Sequence, residues 1–92
     1  MTAHDAYLDR MTERLGQLES RIRDLKERAG RTDTPEARRT VADLEASLEV
    51  TRARLHELRR AGADLTTEMT QSFGAGFERL NAAVGRADSE LR

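Results

Sequence analysis

Residues 61–65 read Ala61-Gly62-Ala63-Asp64-Leu65, and whether a helix passes through them decides the fold. A glycine followed by an aspartate can end one helix and cap the next. The surrounding pattern argues for continuity. Leu55, Leu58, Gly62, Leu65 and Met69 hold one apolar stripe in phase across the glycine, in steps of 3, 4, 3 and 4. A break has no need to preserve that phase. The pattern therefore predicts one long helix from Pro35 to Leu91, bent at Gly62, where glycine costs about 1 kcal/mol relative to alanine. At 1.5 Å per residue it would be roughly 85 Å long.

Upstream of this stretch, Leu8, Met11, Leu15, Leu18, Ile22, Leu25 and Ala29 alternate steps of 3 and 4, a heptad seam on a helix over 3–30. Gly30 follows as a stop signal. A turn over 31–34 leads to Thr34 as N-cap and Pro35 in the first helical turn. A second seam then runs through Ala37, Val41, Leu44, Leu48, Thr51, Leu55 and Leu58. Folding the chain about residue 33 sets Leu25 opposite Val41, Ile22 opposite Leu44 and Leu18 opposite Leu48. The expected architecture is all-α: an antiparallel helical hairpin of coiled-coil type, with helix 2 over 35–62 pairing with helix 1. At its edge Lys26 should stand near Glu45, Glu19 near Arg52 and Thr12 near Arg59.

Downstream, over 63–91, the period lengthens. Leu65, Met69, Phe73, Gly76, Leu80, Val84, Ala87 and Leu91 recur at 11 residues, the signature of a straight or slightly right-handed bundle. Both phenylalanines lie here, Phe73 on the stripe and Phe77 beside it, with Gly74 and Gly76 between them. A ring beside a gap invites another helix with its own ring. Helix 1 is already matched to 37–62, so this extension either folds back as a third helix or is covered by another molecule; the second needs no extra turn, and cover in trans is the expectation. Leu65, Met69, Phe73, Gly76, Phe77, Leu80, Val84 and Leu91 are the candidate interface for a homo-oligomer, a dimer or tetramer, or for a protein partner.

The totals bound the function. Ninety-two residues allow one domain, and 36% charged with 3% aromatic residues is the composition of long helices. There is no cysteine, hence no disulfide and no thiolate ligand or nucleophile, which fits a cytoplasmic protein. Met1 to Arg10 lacks an apolar run, so a secretory leader is not expected, and no stretch is apolar enough to span a membrane. Residues 1–62 carry 13 Lys/Arg against 12 Asp/Glu, and 63–92 carry 3 against 5. No block is basic, so nucleic acid is not an expected partner.

Chemistry-bearing motifs are sparse. His4 and His56 are far apart in sequence, and the metal expectation is none. Gly74-Ala75-Gly76 sits in a helical period without the Lys-Ser/Thr of a phosphate loop. No catalytic or cofactor residue is assigned, and the chain is not expected to be an enzyme. Arg14, Arg21 and Arg28 recur every seven residues, with Arg54 on the same edge of the folded hairpin, facing Thr40 and Ser47. They are a candidate stripe for an acidic partner, or plain solvated charge. Thr51 is a polar residue on the seam; it either pins register or bonds its own backbone. The acidic balance of 63–92 disfavours anionic lipid, although an amphipathic stripe can lie on a membrane surface.

Asp5-Ala6-Tyr7 before the first heptads, the run Leu48 to Leu58 ending in Ala61-Gly62, and Phe73-x-x-Gly76-Phe77-x-x-Leu80 together resemble small bacterial coiled-coil proteins labelled as stress-response proteins. That resemblance implies a helical, stress-linked, cytoplasmic interaction protein and carries no functional residues with it. The sequence reading is thus a non-enzymatic coiled-coil structural or interaction protein that self-associates through its C-terminal stripe. The alternatives are a peripheral amphipathic coat on lipid or granule surfaces, and an adaptor that binds an acidic partner through its arginines.

Overall fold

The computed structural model describes residues 3–91. Three helices and one short turn make up the described residues: α1 (Ala3–Thr32), α2 (Pro35–Ala61), a 3-10 turn (Gly62–Asp64) and α3 (Thr67–Glu90). The molecule measures 46 × 18 × 18 Å along its principal axes. A single helix from Pro35 to Leu91 would be about 85 Å long, so the continuous helix expected from the sequence is corrected here. The chain turns at Gly62 and comes back.

Local chemistry accounts for both turns. α1 does not stop at Gly30 but runs on to Thr32, and the positive φ of 50° falls on Asp33. Aspartate is one of the few side chains that tolerates this conformation. The Asp33 N–H donates to the Ala29 carbonyl at 2.8 Å, closing the helix end. Thr34 then caps α2, its hydroxyl accepting from the Ala37 N–H at 3.1 Å, with Pro35 in the first turn. At the second turn Gly62 has φ 53° and ψ −118°, a region that glycine alone occupies freely. The Leu65 N–H reaches back to the Gly62 carbonyl at 3.2 Å. Thr66, extended at φ −107°, caps α3 by accepting from the Met69 N–H at 3.1 Å.

Cross-helix bonds give the directions. Lys26 pairs with Glu45 at 3.5 Å, Arg52 with Glu19 at 2.9 Å and Arg59 with Thr12 at 2.6 Å, so α1 and α2 run in opposite senses. These are the three edge pairs that the heptad register places together. Tyr7 bonds the Thr70 carbonyl, Arg14 pairs with Glu78 and Arg28 with Asp88, so α3 lies alongside α1 in the same sense.

The core is one continuous seam. Leu8 to Ala29 of α1, Ala37 to Leu58 of α2, and Leu65, Phe73, Phe77, Leu80, Val84 and Ala87 are all buried in a single cluster. On α3 the buried positions step 4, 3, 4 and 3 from Phe73 to Ala87. The 11-residue period expected there gives way to a heptad, with Phe77 taking the inward place that the longer period assigned to Gly76. The reason is size: a ring fills the cleft between α1 and α2, whereas a glycine would leave a void.

Candidate functional site: the groove between α2 and α3

The sequence Phe73-Gly74-Ala75-Gly76-Phe77 resolves into three directions. The two rings point down into the α1/α2 cleft, 4% and 1% exposed, with centroids 6.2 Å apart and planes tilted by 38°. Gly74 faces α1, where a Cβ would stand 3.6 Å from the Tyr7 hydroxyl. Gly76 faces α2, where a Cβ would stand 3.4 Å from the Arg54 guanidinium. The small residues let α3 settle between two rails, and the rings fill the space beneath it.

Of the eight residues expected to form an interface, Leu65, Phe73, Phe77, Leu80 and Val84 are buried inside this one chain, and Leu91 packs partly against the same core. Their cover comes in cis, from α1 and α2. Only Met69, 36% exposed, and the half-buried Gly76 stay on the surface.

The arginine stripe also finds its acids at home. Arg14 pairs with Glu78 at 3.0 Å and holds its guanidinium 4.6 Å from the centre of the Phe77 ring. Arg28 pairs with Asp88 at a part-buried site. Both acids belong to α3, so Arg14 and Arg28 clamp α3 along its α1 side rather than facing Thr40 and Ser47. Arg21 is exposed on α1, and Arg54 lies on the opposite side of α3 from Arg14 and Arg28, in contact range of Gly76. The four do not form one surface.

The other groups are local. Thr51, 7% exposed, donates its hydroxyl to the Ser47 carbonyl at 2.8 Å, the self-bonding arrangement on its own helix. Burial raises the Tyr7 phenol above its usual range, with Arg10 and Arg14 pulling the other way. Its hydroxyl donates to the Thr70 carbonyl at 3.2 Å. His4 and His56 are exposed, and among the described residues no group of three or more His, Asp or Glu side chains gathers for a metal ion. No helix among them is long and apolar enough to cross a membrane.

The surface that stands out was singled out from the sequence only in part, through Met69 and Gly76. Among the described residues two large apolar side chains are left exposed, Val50 at 53% and Met69 at 36%. Both line the groove between α2 and α3. Its upper part is a shallow pocket of about 330 Å³ lined by the small residues Ala46, Ser47, Gly76 and Ala83 together with Val50, Thr51 and Leu80. Its lower part is a hollow of about 460 Å³ lined by Leu58, Met69 and Phe73 with Glu57 and Glu68. Arg54 lines both parts. The signal was present in the sequence as Val50, an isoleucine-like residue off the heptad seam, but its meaning depends on where α3 lies.

The three edges of the bundle also differ in charge. The α1/α2 edge is tied by Lys26–Glu45, Arg52–Glu19 and Arg59–Asp9. The α1/α3 edge is tied by Arg14–Glu78 and Arg28–Asp88. Among the described residues the α2/α3 edge has no cross-helix ion pair, although Arg54, Glu57, Glu68 and Arg79 all line its groove. No family model, no curated protein and no solved structure matches the chain.

Proposed function

We propose that the protein is a non-enzymatic helical interaction module whose binding face is the groove between α2 and α3. The α1/α2 pair is read as a coiled-coil hairpin that serves as the platform, and α3 completes the binding face. One observation carries the reading: the two large apolar side chains left exposed among the described residues, Val50 and Met69, line two neighbouring hollows of the α2/α3 edge that meet at Arg54. Both lie on one edge of the bundle, and that edge is read as the docking surface. The unpaired charges along that edge support a partner with charges of its own. A helix is the occupant that fits, because the groove runs between two helices and small residues line its upper part. The resemblance to stress-linked bacterial coiled-coil proteins fits a module that acts by holding partners.

The test is site-specific photo-crosslinking in cells. A photoreactive residue at Val50 is expected to give adducts with a protein, whereas the same residue at Gln17, exposed on α1, is not. Equal capture at both positions, or none at Val50, removes the reading.

A further inference from the structure

Met69 does not share the register of the helix that carries it. The buried positions of α3 run Phe73, Phe77, Leu80, Val84 and Ala87. Carried back by the same steps, that heptad reaches Thr70 and Thr66, and Met69 falls outside it, 36% exposed. It fits the other register instead. The steps of α2 through Leu55, Leu58, Gly62 and Leu65 arrive at Met69. That register reaches Met69 only where residues 62–66 are helical. In the folded-back chain Leu65 is covered, at 6% exposed, and Met69 is not. The stripe that crosses the turn is satisfied to its end only in a straight helix.

A straight connection lifts α3 off its own hairpin and opens the cleft between α1 and α2. The segment shaped for that cleft is α3, with its two rings, the Tyr7 bond to the Thr70 carbonyl, and the Arg14–Glu78 and Arg28–Asp88 pairs. None of these contacts requires that hairpin and α3 belong to one chain. We propose that two copies of this chain exchange α3, each straightening 62–66 and laying α3 in the α1/α2 cleft of the other. Such an exchange is a low-cost route to a dimer, because it reuses contacts that the single chain already makes.

The hinge fits its place at the centre. Arg54 is level with Gly76, and Ser47 shares a pocket with Ala83; the midpoint of both pairs is Leu65. Exchange keeps those levels, so the two straight helices pass antiparallel about a two-fold axis at Leu65. Each Leu65 then meets the partner's Leu65, and each Met69 lies over the partner's Ala61 and the partner's Gly62. Beside the seam Glu68 faces the partner's Ala61 and Thr66 faces the partner's Thr66, with Asp64 turned outward, so like charges do not meet at the axis. Locally the change is nearly balanced. The turn gives up the Thr66 cap on the Met69 N–H and the Leu65 bond to the Gly62 carbonyl, and the helix returns its own ladder. Concentration therefore selects the form, since the closed chain holds α3 at high effective concentration. The exchange does not depend on what the α2/α3 groove binds.

The experiment uses the full chain, refolded from urea at low and at high concentration and sized by gel filtration with light scattering. Monomer is expected at low concentration and a helical dimer at high. Gly62→Ala with Thr66→Ala, which removes the turn glycine and the α3 cap but suits a straight helix, is expected to favour the dimer ten-fold or more. Four Gly/Ser residues inserted after Asp64 break the straight helix while leaving α3 free to fold back, and are expected to abolish the dimer. Mixing reads the exchange itself. Arg28→Asp and Asp88→Arg each set like charges together at a part-buried site. In an exchanged dimer of the two variants, one cleft pairs the introduced aspartate with the introduced arginine and the other keeps the natural pair. Refolding them together is therefore expected to give a mixed dimer that melts above either variant alone. A chain that stays monomeric at its highest soluble concentration, a dimer that survives the insertion, or a mixture that melts no higher than its components overturns the proposal.

Discussion

Phe77 is the residue on which the packing of α3 turns. It is 1% exposed, shares the cleft with Phe73, and carries the Arg14 guanidinium over its ring. Phe77→Ala leaves a ring-sized void between three helices that cannot all close in. The expected cost is about 3–5 kcal/mol, read as a lower midpoint in urea denaturation; a cost below about 1 kcal/mol would mean that α3 is not docked as described. Tyr7 gives a second test through pH. Its phenol titrates higher in the folded chain because burial disfavours the phenolate. The neutral form is thus the one that the fold favours. Its contribution is fully present below the unfolded value near 10 and is lost as the pH rises through the folded value. Tyr7→Phe is expected to remove that alkaline loss, and at neutral pH to cost about 1 kcal/mol for the bond to the Thr70 carbonyl. A Tyr7→Phe chain with an unchanged stability profile above pH 10 would exclude the phenol as the source.

At the scale of elements, the two turns make opposite predictions. Asp33 holds φ 50° with a side chain present, so Asp33→Gly relieves strain at the end of α1. It also removes the ion pair with Arg38, which is exposed and contributes little. The expected net gain is a few tenths of a kcal/mol up to about 1. Gly62 holds a conformation that other residues adopt only under strain, so Gly62→Ala is expected to destabilise by about 1–3 kcal/mol. Thermal unfolding of the two variants should move in opposite directions; a stabilising Gly62→Ala would restore the continuous helix as the preferred state. The caps of α2 and α3 show what was legible locally. Thr34-Pro35 could be read as a helix start without any tertiary knowledge. Thr66 could have been read the same way, since Glu68 follows it in the first turn, but the unbroken phase of Leu58, Gly62 and Leu65 outweighed it. Leu65 explains that phase without a helix. It is 6% exposed and sits in the connection between the turn and α3, facing the same core as Leu58. An apolar residue of a linker can hold the stripe while the backbone changes direction.

For the whole molecule, α3 is held by its rings, by the Tyr7 bond and by the two arginine pairs, all directed at α1 and α2. Two pieces of the chain, 1–63 and 65–92, should therefore recognise each other in solution. Mixing them is expected to raise helical circular dichroism above the sum of the separate pieces. The Phe77→Ala form of the shorter piece should lose most of that gain, whereas a purely additive spectrum would argue against docking in cis.

The sequence by itself determined that the chain is helical, where α1 and α2 pair, and which edge charges meet, because heptad spacing and capping are properties of neighbouring residues. It also determined that 63–92 carries an apolar face in need of cover. What covers that face was decided only by the tertiary structure. Periodicity records that a stripe exists, not which surface meets it, and the same stripe fits a neighbouring arm or another molecule. A turn of five residues keeps α3 beside its own hairpin at high effective concentration, while cover in trans loses the freedom of a second chain. Once α3 is seated, Val50 and Met69 are the large apolar side chains that it leaves outside among the described residues, along the edge that no cross-helix ion pair ties.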